Sequence, residues 1–211
     1  MGGILIQNLK SKIEMPRPKG QTLTQKDIVE AAIACIQKEG EAALGVNRVA
    51  RELGIQPPSL YNHIAGNEEL RRLVVVEGWR RCLAACLPPA TEIEDGRERL
   101  KKSAYRFRRF VQENPSLYAV LMRYKLDLSV PECATIFQQV IKFYTEILEP
   151  FGFSSDEIVH TSRLATSVMH GFVSVEQAGL FTYSLSTDKS FEWIVNTIID
   201  ALEQKKRLKL D

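Results

Sequence analysis

Five polar residues stand within the eight-residue run from 56 to 63: Gln56, Ser59, Tyr61, Asn62 and His63. All are uncharged donors and acceptors of hydrogen bonds. Displayed on the outward face of one short helix, they suit the edges of nucleic-acid bases and the oxygens of phosphates. Catalytic chemistry finds no comparable grouping. There is no Ser-His-Asp set and no glycine-rich phosphate loop. Cys35, Cys82, Cys86 and Cys133 sit in apolar helical patterns. Cys82 and Cys86 share a helix face, but no second Cys or His pair with metal spacing accompanies them. His63, His160 and His170 are scattered. These features argue against an enzyme, a metal site or a bound cofactor. The cysteines read as small core residues of a reducing cytoplasm.

The polar run needs a scaffold, and the flanking pattern supplies one. Val46, Val49, Ala50 and Leu53 give a short second helix an apolar face. Gly54 and Ile55 make a turn. Pro57, at a first-turn position, opens a third helix that should end near His63. Ile55 and Leu60 carry the apolar face across the turn, so packing pins the third helix. Upstream, Thr24 begins a first helix with Asp27 three residues on, close to a capping box. Ile28, Ala31, Ala32, Cys35 and Ile36 follow helical spacing, and Gly40 ends it. Gly66-Asn67 breaks the chain again before a long fourth helix to Leu87.

Pro88-Pro89 opens a boundary over residues 88–95. Further helices are expected at about 95–113, 115–123, 131–148, 155–179 and 188–206, with Pro115, Pro131 and Pro150 as stops or starts. The expected fold is all-α, with about nine helices in two units, 24–87 and 88–211. No convincing alternating strand pattern, internal repeat or low-complexity segment appears.

Hydrophobic residues make up 45% and charged residues 26%, values that fit an ordinary soluble globular protein. No apolar run approaches the roughly 18–20 residues that would span a membrane. The N-terminus holds only the short run Ile4 to Ile6, too little for a secretory segment. A cytoplasmic location is expected. Net charge is +2, but residues 1–87 carry 12 basic against 9 acidic residues, and 88–211 carry 16 against 17. Residues 1–23, with Pro16, Pro18 and Gly20, read as a mobile basic arm. Met15 offers an alternative start that would make residues 1–14 dispensable. By charge alone the arm reads first as a solvated tail and only second as a phosphate-neutralising one.

A paired-helix motif also occurs in protein-binding modules, and a helical-bundle enzyme is a further alternative. The composite motif is more specific. Val46, Val49-Ala50, Leu53-Gly54-Ile55, Leu60-Tyr61, His63 and Glu69-Leu70 resemble the helix-turn-helix of the TetR/AcrR family of transcriptional regulators. The resemblance implies double-stranded DNA as a partner, with the third helix in the major groove. It places Arg48, Gln56, Pro57, Ser59, Tyr61, Asn62, His63 and Asn67 at the interface, with Tyr61 and His63 foremost. Three positions depart from the family pattern. Gly45 stands where Thr is usual, Ile64 where Phe is usual, and Asn67 where Lys is common. Asn67 is expected to cap the fourth helix. Arg17 and Lys19 of the arm would compensate by reaching a minor groove.

Residues 96–211 resemble the effector and dimerisation half of the same family, and Met169-His170-Gly171-Phe172 resembles the His-Gly signature of one subgroup. The resemblance implies a homodimer and a small apolar effector. Ser167, Gly171, Ser174 and Ala178 form a stripe of small residues that lets helices approach closely. Ile194, Val195, Ile198 and Leu202 form an apolar stripe on the last helix. Both stripes are expected at a two-fold interface. Two third helices would then stand about 34–36 Å apart and read a palindrome. Candidate effector contacts are Phe107, Phe110, Tyr118, Met122, Phe137, Tyr144, Met169, His170, Phe172 and Glu176. Aromatic residues at helical spacing are also ordinary core. His170 and Glu176 are better markers, because a polar group on an apolar helix needs a partner.

Overall fold

The computed structural model describes residues 22–87 and 95–207. Nine α-helices make up its regular structure among these residues: α1 Gln25–Glu39, α2 Val46–Glu52, α3 Pro57–Leu60, α4 Asn67–Cys86, α5 Gly96–Glu113, α6 Pro115–Arg123, α7 Pro131–Leu148, α8 Ser155–Gln177 and α9 Thr187–Arg207. Single 3-10 turns sit at 41–43 and 149–151. The all-α expectation holds, and most ends fall within one or two residues of the expected ones.

Local chemistry accounts for those ends. The Thr24 hydroxyl accepts the Asp27 N–H, and the Asp27 carboxylate accepts the Thr24 N–H, a full capping box. Ser154 and Glu157 repeat the device at α8. Asp95 caps α5 by accepting the Glu98 N–H at 2.8 Å. Pro115 and Pro131 occupy first-turn positions, where a missing N–H costs nothing. α3 is shorter than expected. Its regular helix ends at Leu60, and Tyr61 to His63 continue as a turn in which the Leu60 carbonyl accepts the N–H groups of His63 and Ile64.

α4 is the centre of the molecule. It packs against α1 on one side and against α5, α6 and α7 on others. At Gly78 it approaches α6 so closely that an added Cβ would stand 2.7 Å from Leu121 Cδ2. One apolar core runs from Ile28 in α1 through Leu70 and Val74 in α4 to Leu117 in α6 and Val173 in α8. The two units expected from the sequence therefore share both a helix and a core. Two smaller clusters close the far end, one around Leu148 and Phe151 and one around Phe172 and Phe191.

Candidate nucleic-acid interface and internal cavity

The turn between α2 and α3 is built by the backbone. Gly54 takes φ +67°, a conformation that disfavours side chains. The Ile55 N–H donates to the Ala50 carbonyl at 3.0 Å and the Gly54 N–H to Arg51 at 3.2 Å, the paired closure of a Schellman cap. Leu60 and Ile64 are buried and fix α3 from beneath. What remains outward is the polar run: Gln56, Ser59, Tyr61 and Asn62 are exposed, and Pro57 and His63 are half-buried. Tyr61 is 55% exposed, an aromatic ring left in water.

The neighbouring polar groups do not all take the expected places. Arg48 turns back toward α1. Its guanidinium binds Glu39 through Nε at 3.0 Å and Glu52 through Nη2 at 2.7 Å. These carboxylates, Glu39 first, push it further above its ordinary pKa. Arg48 joins α1 to α2, and its charge is already answered. The outward face of α2 is instead Asn47 and Arg51, both exposed and one turn apart. The first turn of α1 lies beside the end of the polar run, where Gln25 Nε2 donates to the His63 carbonyl at 3.4 Å. Exposed Lys26 stands in that turn. Sequence reasoning named neither Lys26 nor Arg51 as an interface residue. Arg51 was legible as the partner of Asn47 at i+4. Arg17 and Lys19 lie outside the described residues.

Asn67 also has another task than expected. It is the first residue of α4, but its side chain does not cap that helix. Its Oδ1 accepts the Val46 N–H at 2.8 Å, at the start of α2. Gly45 offers no side-chain cap there, and the cap arrives from α4.

A cavity of about 470 Å³ lies between α4, α5, α7, α8 and α9. Its wall includes Trp79 and Leu83 of α4, and five expected residues: Phe107, Phe137, Tyr144, Met169 and His170. The other five expected residues lie elsewhere. Phe110 is buried in the main core. Tyr118 sits behind the wall, its hydroxyl joined to His170 Nδ1 at 2.6 Å. Met122 is exposed. Phe172 packs on Phe181 and Phe191. Glu176 is paired with buried Arg108, which also reaches Asp188 at 2.8 Å and lies over the Phe172 and Phe191 rings. Burial lowers the pKa of His170, so the imidazole is held neutral.

The small-residue stripe Ser167, Gly171, Ser174 and Ala178 is exposed along α8. The α9 stripe is not free. Val195 and Leu202 are buried in the chain's own core, and Ile194 and Ile198 pack on it, because α9 lies along α5. The exposed large apolar residue of α9 is Trp193, at 69%. Glu157 and His160 have a Glu-x-x-His spacing, but Glu157 is engaged in the α8 cap. Among the described residues no three His, Cys, Asp or Glu groups gather to hold a metal ion. No described helix is long and apolar enough to cross a membrane.

Two family descriptions match this chain: "Bacterial regulatory proteins, tetR family" over residues 28–73, and "Tetracyclin repressor-like, C-terminal domain" over residues 100–198. The chain belongs to the TetR family of transcriptional regulators. Among curated relatives, it is 26% identical over 186 residues to the uncharacterized HTH-type transcriptional regulator Rv0681 of Mycobacterium tuberculosis, covering 87% of this chain and 83% of the relative. It is 26% identical over 181 residues to the HTH-type regulator YobS of Bacillus subtilis, covering 85% and 93%. The TetR-like fold extends to solved structures. Apo ActR of Streptomyces coelicolor superposes with a TM-score of 0.66 at 21% identity, covering 90% of this chain and 99% of that one. A TetR variant of Acinetobacter baumannii AYE in complex with minocycline gives 0.65 at 20%, covering 88% and 99%. This TetR-family chain is a DNA-binding transcriptional regulator, and its helix-turn-helix is formed by α2 and α3.

Proposed function

We propose that the chain is a ligand-responsive repressor that binds a palindromic operator as a homodimer. The observation that carries this reading is the double role of α4. Its C-terminal half supplies Trp79, Cys82, Leu83 and Cys86 to the cavity wall. Its first residue, Asn67, holds the first amide of α2. A ligand that fills the cavity acts on α4, and α4 acts on the helix-turn-helix. Such a ligand shifts the protein only by its differential affinity for the two placements of α4. ActR and the Acinetobacter TetR variant have each been solved with a bound small molecule, (S)-DNPA and minocycline.

In this reading Gln56, Ser59, Tyr61, Asn62 and His63 meet the major groove, while Lys26, Arg51 and the arm residues Arg17 and Lys19 meet phosphates or a minor groove. The dimer forms through the exposed small face of α8 and the exposed side of α9 around Trp193, since Val195 and Leu202 are already used inside. Selection of bound DNA from a random pool tests the operator. A two-fold palindrome is expected, with affinity falling steeply as salt rises. A single asymmetric half-site, or binding insensitive to salt, would contradict it.

A further inference from the structure

The cavity wall is apolar but not uniformly so, and its polar groups have a definite character. Tyr144 Oη and Thr166 Oγ1 are joined at 2.6 Å and satisfy one another. His170 Nδ1 is joined to the Tyr118 hydroxyl. Cys82 and Cys86 are buried thiols, and the Cys82 contact followed by burial pushes the Cys86 thiol up, away from the thiolate. Ser103 differs. It lies on α5 among the wall residues, is only 5% exposed, and its hydroxyl has no hydrogen-bond partner. The other buried side-chain polar atoms in that condition among the described residues are arginine Nε atoms of Arg71, Arg72 and Arg99, none in the wall. A buried hydroxyl without a partner is unfavourable, and helical serines commonly bond the carbonyl four residues back. Ser103 keeps its hydrogen-bonding capacity unspent at a ligand-sized cavity.

Charge is distributed in the opposite sense. Of the lining residues only Lys125 carries a formal charge, and it is exposed, on the segment after α6. No lining residue supplies a buried cation to receive an anion. An ion buried without a partner is strongly disfavoured, and an exposed lysine is a weak, screened substitute.

We propose that the cavity takes an uncharged, largely apolar molecule whose single hydrogen-bonding oxygen, a carbonyl or hydroxyl, is held by the Ser103 hydroxyl. This rests on the cavity being the effector site. It narrows the effector to neutral molecules and excludes their carboxylate counterparts.

The test uses three probes of equal chain length, 2-undecanone, 1-undecanol and undecanoate, titrated calorimetrically into the full chain at pH 7.5 without DNA. The ketone and the alcohol should bind at least about tenfold more tightly than undecanoate. Ser103→Ala should weaken the ketone about tenfold, a loss of about 1.4 kcal/mol. It should leave the melting temperature unchanged or raised, because a buried unpartnered group is removed. Ser103→Thr, which keeps the hydroxyl, should retain most of the affinity. Lys125→Gln should change nothing. Undecanoate binding tightest and lost in Lys125→Gln would overturn the proposal, as would ketone affinity equal in Ser103→Ala, or failure of all three probes to bind. Operator release is measured separately. A neutral probe that binds through Ser103 yet leaves DNA affinity unchanged would sink the switch and leave the ligand class standing.

Discussion

Asn67 Oδ1 accepts the backbone N–H of Val46 at 2.8 Å, so the residue that opens α4 also caps α2. The two are 21 positions apart in sequence, with the whole of α3 between them. The contact replaces a local cap that Gly45 cannot supply. Gly45 sits in extended backbone with φ −158°, and a Cβ there would stand 3.7 Å from Asn67 Oδ1 in ordinary contact. Asn67→Ala should therefore cost about 1 kcal/mol in urea denaturation, the usual worth of an N-cap. Gly45→Thr added to it should restore that stability, because the hydroxyl can cap its own helix. An additive loss in the double variant would show that capping is not what Asn67 does.

Tyr61 and Leu60 are neighbours with opposite duties. Tyr61→Ala removes an exposed ring and should leave folding unchanged by circular dichroism. Operator affinity should fall by about 1–3 kcal/mol, the size of a lost groove or phosphate contact. Leu60→Ala empties a fully buried site and should cost about 2–5 kcal/mol of stability. Unchanged DNA binding by Tyr61→Ala would remove the polar run from the interface.

The close approach at Gly78 is a packing requirement. A Cβ there meets Leu121 Cδ2 at 2.7 Å and Leu117 Cδ1 at 3.2 Å, and both leucines are buried. Gly78→Val should destabilise the chain by about 1–3 kcal/mol through overpacking. Thermal melting with urea titration measures it. A neutral result would mean that α4 and α6 separate easily.

Acidification should weaken the fold in two stages. Burial holds the His170 pKa below 6.5, so its unfolded form takes up a proton first. The stability tied to neutral His170 is complete above about pH 6.5 and declines as pH falls below it. The Arg108 guanidinium holds the Glu176 carboxyl below its ordinary 4.5, and Arg80 followed by Arg81 holds Glu77 down to about 2. Their contribution is complete above about pH 4.5 and is lost as pH falls toward 2. Denaturation midpoints at pH 7.5, 5.5 and 4 should descend in that order. Glu176→Gln should flatten the lower limb only, and His170→Phe the upper limb only. Stability independent of pH in this range would contradict both assignments.

Helix ends were legible because their causes are local. Thr24 with Asp27, Ser154, Asp95, and the prolines at 115 and 131 act within one turn of themselves. The outward polar run was legible for the same reason, since Leu60 and Ile64 at helical spacing leave Gln56, Ser59 and Tyr61 exposed. Periodicity does not say which inner space a buried face adjoins. Phe107 and Phe110 are both buried-type residues on α5, yet only Phe107 reaches the cavity. The α9 stripe carries the same ambiguity, since an apolar face fits an intrachain neighbour as well as a partner. The intrachain contacts of Arg48 and Asn67 were not legible because their partners, Glu39 and Val46, come from other elements.

The unbroken core from Ile28 to Val173 has a further consequence. With no internal seam, the described residues should melt in one cooperative transition. Amide exchange in α1 should then slow when the distant cavity is filled. Cutting the chain after α4 would strip Cys82 and Leu83 of their cover, so the DNA-binding helices would not be separable as a stable fragment. The cavity and the helix-turn-helix here belong to one folding unit.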